Sequence, residues 1–146
     1  MPVRRSARPA GWRCPRCGRR FRQATREHSC DVTSLAAHLA RASVPVKATF
    51  EALEQALAAI GPHAVVPVKT MILLRATANF AGVMVRRECL RLEFVLERPV
   101  DHARIDKRQQ FGPRRHTHHI RLTSPGDVDA QVVSWLRESY RTVAEA

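Results

Sequence analysis

Nowhere does the chain hold the roughly 20 consecutive apolar residues that a membrane-spanning helix needs, and its arginine-rich start lacks the apolar stretch of a secretory signal. Both absences point to a cytoplasmic protein with no membrane partner. Acid-poor, arginine-rich starts also occur in organelle transit peptides, but Pro2, Pro9 and Gly11 spoil the amphipathic helix such peptides form. There is no nucleophile elbow, no glycine-rich phosphate loop and no carboxylate pair at a diagnostic spacing, so the chain leans away from catalysis. Internal repeats are missing as well. Acidic residues are few: 13 Asp and Glu stand against 25 Lys and Arg, a formal net charge of +12 over 146 residues.

The excess is mostly arginine, whose planar fork suits phosphate better than the lysine ammonium does. It is concentrated at the start, where residues 1–31 carry nine arginines against Glu27 and Asp31. Residues 1–11 show no apolar period and read as a disordered basic arm. Residues 12–31 read as a small zinc-binding knuckle, with Cys14, Cys17, His28 and Cys30 as ligands. Two cysteines separated by two residues, then a histidine and a cysteine, supply the four soft or borderline donors of a closed tetrahedral site. Such a site leaves no open position for substrate water, so the Zn2+ is expected to be structural. Arg13, Arg16, Arg19, Arg20, Arg22 and Arg26 stud this segment and suit phosphate contact, hence nucleic acid. The short interval between His28 and Cys30 leaves little room for a base-reading helix.

Residues 32–44 read as a linker helix behind Thr33 or Ser34, with Leu35 and Leu39 as a thin apolar face. From residue 45 the pattern is stronger. Val46, Phe50, Leu53, Leu57 and Ile60 alternate at spacings of four and three, one face of a helix that Gly61 and Pro62 end. β-leaning runs follow at 64–68, 71–77, 80–86, 90–97 and 118–123. In the fourth, Leu90, Leu92, Phe94 and Leu96 alternate with Arg91, Glu93, Val95 and Glu97, which gives one buried and one largely solvated face. Residues 98–117, rich in Pro, Asp, Gly and Arg, read as a long connection. Ser124, Pro125 and Asp127 have the spacing of a capping box, opening a last helix whose inward stripe is Val128, Val132, Trp135, Leu136, Ser139 and Val143.

The order helix, antiparallel strands, helix predicts an α+β fold over residues 45–146: a two-layer sandwich of a four- to five-stranded antiparallel sheet with two helices on one face. Within it, His116 and His118 share one strand face and His119 takes the other, too few convergent donors for a second metal site. Cys89 reads as a lone packing thiol. Lys69, Arg86, Arg115, His118 and Arg121 are candidates for an anion pocket in the sheet region.

The motifs CPRCGRRF with HSC (14–21 and 28–30), VPVKT (66–70), FAGV (80–83), LRLEFVLERPVD (90–101), HHIRLTSP (118–125) and WLRESY (135–140) resemble an uncharacterised bacterial family, one of the domains of unknown function. In that family a zinc knuckle precedes a YdhG-like or frataxin-like domain. The resemblance implies the same helix, four to five strands, helix arrangement and supplies no activity. Frataxin's acidic, iron-facing ridge has no counterpart in this basic chain. A related fold class, similar to the MmcQ/YjbR proteins, carries a DNA-binding label and favours the nucleic-acid reading by analogy. The expected function is therefore that of a non-catalytic, zinc-containing binding protein engaging nucleic acid through the knuckle. The alternatives are an adaptor whose knuckle docks a protein, and an enzyme using a basic pocket in the sandwich.

Overall fold

A computed structural model describes residues 34–144, and two short strands before them, Trp12–Arg13 (β1) and Arg20–Phe21 (β2), as backbone. These two pair antiparallel, Trp12 opposite Phe21. The expected basic arm and the rest of the expected knuckle lie outside the described residues.

α1 spans Leu35–Leu39, where the Ser34 hydroxyl accepts the Ala37 N–H at 3.1 Å, and Leu35 and Leu39 pack against the core. It is shorter than the 32–44 segment expected. α2 spans Val44–Ile60, opened by Ser43 and Pro45, the latter placed where a missing N–H costs nothing. It buries Val46, Thr49, Phe50, Leu53 and Leu57, the face that the spacing of four and three predicts. Gly61 then makes room for Tyr140: a β-carbon there would lie 2.7 Å from the Tyr140 hydroxyl, which itself donates to the Pro62 carbonyl at 2.7 Å.

The last helix begins later than the capping box suggests. Pro125–Asp127 form a single 3-10 turn, Val128 leaves helical geometry, and α3 runs Ala130–Ala144. Two carboxylates divide the capping. Asp127 accepts from the backbone N–H groups of Thr123 and Ser124, and Asp129 accepts the Val132 N–H at 3.1 Å.

Six strands follow one another in the chain: Ala64–Pro67 (β3), Ile72–Arg75 (β4), Asn79–Val85 (β5), Leu90–Leu96 (β6), Ile105–Gln110 (β7) and His116–Leu122 (β8). They form one sheet in the order β3-β4-β5-β6-β8-β7, antiparallel throughout. The expectation of four to five strands is thus corrected to six. The added strand, β7, lies inside the stretch read as a connection. It is a sheet edge with five exposed residues after a half-buried Ile105, so it carries no alternation for a hydrophobic pattern to reveal.

α2 and α3 touch each other and pack on one face of the sheet. That face carries Leu90, Leu92, Phe94 and Leu96 beside Ile72, Leu74, Val83, Ile120 and Leu122, all buried. Each such side chain contributes about 1.5–3 kcal/mol through burial. Phe94 is sandwiched between His118 and Trp135, each with its ring centroid 5.4 Å away, and His102 meets Trp135 edge-on at 5.1 Å. Between Leu74 and Arg75 the register slips, because Leu74 faces Ala81 while Arg75 faces Asn79. Phe80 is the extra residue of that bulge and is fully buried, in edge contact with Tyr140. Ser139 of α3 closes the gap: its hydroxyl donates to the Phe80 carbonyl at 2.7 Å and accepts the Val95 N–H at 3.2 Å. Among the described residues no helix is long and apolar enough to cross a membrane.

Candidate ligand-binding site

The second face of the sheet carries no helix among the described residues, and strand pairing decides what it displays. One row crosses five strands: Leu73, Gly82, Glu93, His119 and Lys107. Next to it, Val95 pairs with Thr117, and Thr117 with Gln109. On the other side of the row, Met84, Arg91 and Arg121 stand in line. Arg91 is committed to Asp106 through two hydrogen bonds of 3.1 and 3.2 Å.

A cleft of about 540 Å3 opens on this face, within the range of small-ligand sites. Leu73 and Val95 give it apolar floor, and Asn79, Gln109 and Thr117 offer hydrogen bonds. Phe111, 62% exposed, stands at its edge. Glu93 and Arg115 are its charged residues. Gly82 is closely covered in this geometry: a β-carbon there would meet Met71 Cε at 2.6 Å and Glu93 Oε1 at 3.2 Å, so a side chain at this position would press on both.

Beside Glu93, His119 is 7% exposed, and its Nε2 has no hydrogen-bond partner. The nearest carboxylate oxygen, Glu93 Oε2, is 3.7 Å away, too far for a hydrogen bond. Burial holds the His119 imidazole below its ordinary pKa of 6.5; Glu93 opposes that shift, while Lys107 and Arg91 add to it. His118 points the other way, into the core. Its Nε2 accepts the Val100 N–H at 3.0 Å, and burial, aided by Arg108, likewise lowers its pKa.

The residues expected to form an anion pocket are spread over the fold. Lys69 lies in the β3–β4 turn, Arg86 in the β5–β6 turn and Arg115 in the β7–β8 turn, while Arg121 is exposed on the open face and His118 is buried on the opposite one. Of the five, the cleft takes in Arg115 alone. A second groove, of about 930 Å3, runs along α3 past Ser134, Arg137 and Arg141, with Glu97, Arg114 and Glu138 beside them. Arg141 lies in the last turn of α3, where the helix dipole favours a cation without any ligand, and Arg114 is paired with Glu97 at 3.6 Å.

The alternation of residues 90–97 assigns Glu93 and Val95 to the solvated face and by itself marks no site there. Val95, an apolar residue in a polar row, was the available signal. Phe111, an aromatic residue beside Gly112 and Pro113, was another.

The zinc expectation is corrected. Among the described residues no group of three or more His, Cys, Asp and Glu side chains is placed to hold a metal ion. His119 and Glu93 make only a pair, and strand alternation sends His118 to the far side of the sheet, whereas zinc asks for three or four convergent donors. A zinc cofactor, a zinc-finger role and nucleic-acid engagement through such a module are therefore set aside. Cys14, Cys17, His28 and Cys30 lie outside the described residues, as do Arg16, Arg19, Arg22 and Arg26; Arg13 and Arg20 are described only as backbone, in β1 and β2. Cys89 is a free, buried thiol.

Residues 35–143 match the model of a family described as a domain of unknown function, DUF5655. No curated protein and no solved structure matches the chain. The resemblance to an uncharacterised family thus finds its place, but the match begins beyond Cys30 and takes in no knuckle. The YdhG-like or frataxin-like part of that resemblance has no support.

Proposed function

For this chain, which belongs to the DUF5655 family, we propose the function of a small-molecule binding module whose site is the cleft on the open sheet face. The observation that carries this reading is the cleft's division of labour. An apolar floor of Leu73 and Val95 meets an exposed Phe111, and Arg115 is a cation with no ion-pair partner among the described residues. A ligand with an apolar or aromatic body and an anionic group satisfies both. The ring stacks on Phe111 and covers Val95, while the anion meets the guanidinium fork of Arg115.

Chemical-shift mapping of the full chain with 3-phenylpropionate tests this. Shifts are expected to cluster at Val95, Gln109 and Thr117. Arg115→Ala is expected to weaken binding about 10-fold or more, since a charge-assisted hydrogen bond contributes about 1.5–3 kcal/mol. Shifts scattered over the surface, or concentrated on the α3 groove, would rule the cleft out.

A further inference from the structure

The wall of the cleft holds a hydroxyl that the fold does not use. Thr117 is 7% exposed on β8 and lines the cleft, yet its hydroxyl has no hydrogen-bond partner among the described residues. Glu93, another lining residue, also makes no hydrogen bond among them; the His119 imidazole is 3.7 Å away, beyond bonding distance. Buried polar groups are almost always paired. A ligand whose apolar body covers Val95 also covers Thr117, which stands directly opposite it. Such a ligand must replace the hydrogen bonds that solvent would give these groups, or bind weakly.

Resting on the binding role proposed above, we infer that Glu93 and Thr117 form a hydroxyl subsite, so that the ligand is a 4-hydroxyaryl carboxylate whose phenol lies between them. An ionised carboxylate only accepts, whereas a threonine hydroxyl can donate. A phenol does both: its O–H donates to Glu93, and its oxygen accepts from the Thr117 hydroxyl. The two residues are diagonal neighbours across β6 and β8, because Glu93 faces His119 and Val95 faces Thr117. Their backbone positions are then about 7–8 Å apart, a gap that a long side chain such as that of Glu93 closes with one atom between.

Strand register places the hydroxyl opposite the acid on the ring. Glu93 and Val95 are two residues apart on β6, about 6.5–7 Å along the strand. Arg115 comes just before β8, beyond Thr117 and at the end of the cleft away from Glu93. A ring lying on Val95 therefore has Glu93 at one end and Arg115 at the other, with Thr117 beside it. Substituents at opposite ends of the ring reach both.

Charge favours a phenol over an amine at this position. The open face sets Arg91, Lys107, Arg115 and Arg121 against Glu93 and Asp106, a positive balance. A primary ammonium would also donate to Glu93, but it would bring a further cation into that surplus. A neutral hydroxyl makes the same hydrogen bond and leaves the ligand with the net negative charge that the face attracts.

The test is calorimetric titration of the full chain with 3-phenylpropionate and with its 4-hydroxy, 4-methoxy and 4-aminomethyl derivatives. The hydroxyl is expected to tighten binding about 5-fold or more, as a hydrogen bond to a charged group does. The methoxy group accepts but cannot donate, so no gain is expected from it. In Thr117→Val and in Glu93→Gln the advantage of the hydroxyl is expected to shrink to about 2-fold or less, while 3-phenylpropionate binds at least as well as in the wild type. Thr117→Val keeps the β-branched shape and removes a hydroxyl without a partner, so its urea midpoint is expected to rise; a lower midpoint would show that the fold uses this hydroxyl and would overturn the subsite. Equal binding of the hydroxylated and plain acids by the wild type, tighter binding of the aminomethyl compound, or an advantage undiminished in either variant also overturns it and leaves the cleft standing. If none of the acids perturbs the cleft, both readings fall.

Discussion

Ser139 shows how one hydroxyl repairs a ladder. The bulge at Phe80 takes the Phe80 carbonyl and the Val95 N–H out of regular pairing, and both are covered by α3, away from water. Ser139, fully buried, donates to the first and accepts from the second. Ser139→Ala removes both bonds at once and leaves two buried groups unpaired. Each orphaned group costs about 1–3 kcal/mol, so the variant is expected to lose at least about 2 kcal/mol of unfolding free energy, read as a lower urea midpoint. Ser139→Thr keeps the hydroxyl but adds a methyl group to a packed site, so a smaller loss is expected there. In the sequence Ser139 was legible as part of the inward stripe of the last helix. Its partners were not, because a bulge leaves no trace in hydrophobic alternation.

The turn before α3 is an element held by charge. Asp127 gathers the Thr123 and Ser124 N–H groups, Asp129 caps the helix, and Arg104 binds both ends of the arrangement. Its guanidinium donates to the Asp129 carboxylate at 3.0 Å and to the Asp127 carbonyl at 2.8 Å. Arg104 sits in the crossover from β6 to β7, so this one side chain ties the connection that the strand order requires to the start of α3. Hydrogen bonds from the Thr123 and Val132 backbone, foremost, hold Asp127 and Asp129 below the ordinary carboxylate value of 3.8. The folded state therefore gives up these protons more readily than the unfolded chain. Their contribution to stability is fully present above pH 3.8 and disappears as the pH falls through the lowered folded values. Asp127→Ala is expected to cost about 1 kcal/mol at pH 7, the usual loss for a cap, and to flatten the decline in thermal midpoint below pH 4. An unchanged acid limb in that variant would remove Asp127 from the account.

At the scale of the whole molecule, two adjacent histidines face opposite sides of one sheet and respond to acid alike. His118 is stacked against Phe94 in the core, and His119 is buried under the open face; burial lowers the pKa of each from 6.5. The unfolded chain thus binds protons at these sites before the folded one does. Their full contribution is present above pH 6.5, and stability falls as the pH drops below that value until the folded-state values are passed. The urea midpoint is expected to decline between pH 7 and pH 5, in a window separate from that of the carboxylates. His118→Leu is expected to lower stability at pH 7, because the Val100 N–H loses its acceptor, yet to make the midpoint less dependent on pH over that interval. Equal slopes in wild type and variant would show that His118 is not a source of the dependence.

Periodicity alone determined a good deal. The spacing of Val46, Phe50, Leu53 and Leu57 and the alternation from Leu90 to Leu96 were enough to place α2, the sheet's central strand β6 and the core between them, because a side chain's face follows directly from its position in a helix or a strand. Ser124 and Asp127 marked the approach to the last helix within a few residues. Tertiary structure alone decided the rest. β7 exists because β8 offers it a partner, not because its polar residues favour extension. The cleft exists because Leu73, Glu93, Val95, Gln109 and Thr117, from four strands, are brought together through backbone pairing. Local sequence encodes which way a residue points; only the register between strands encodes what it meets.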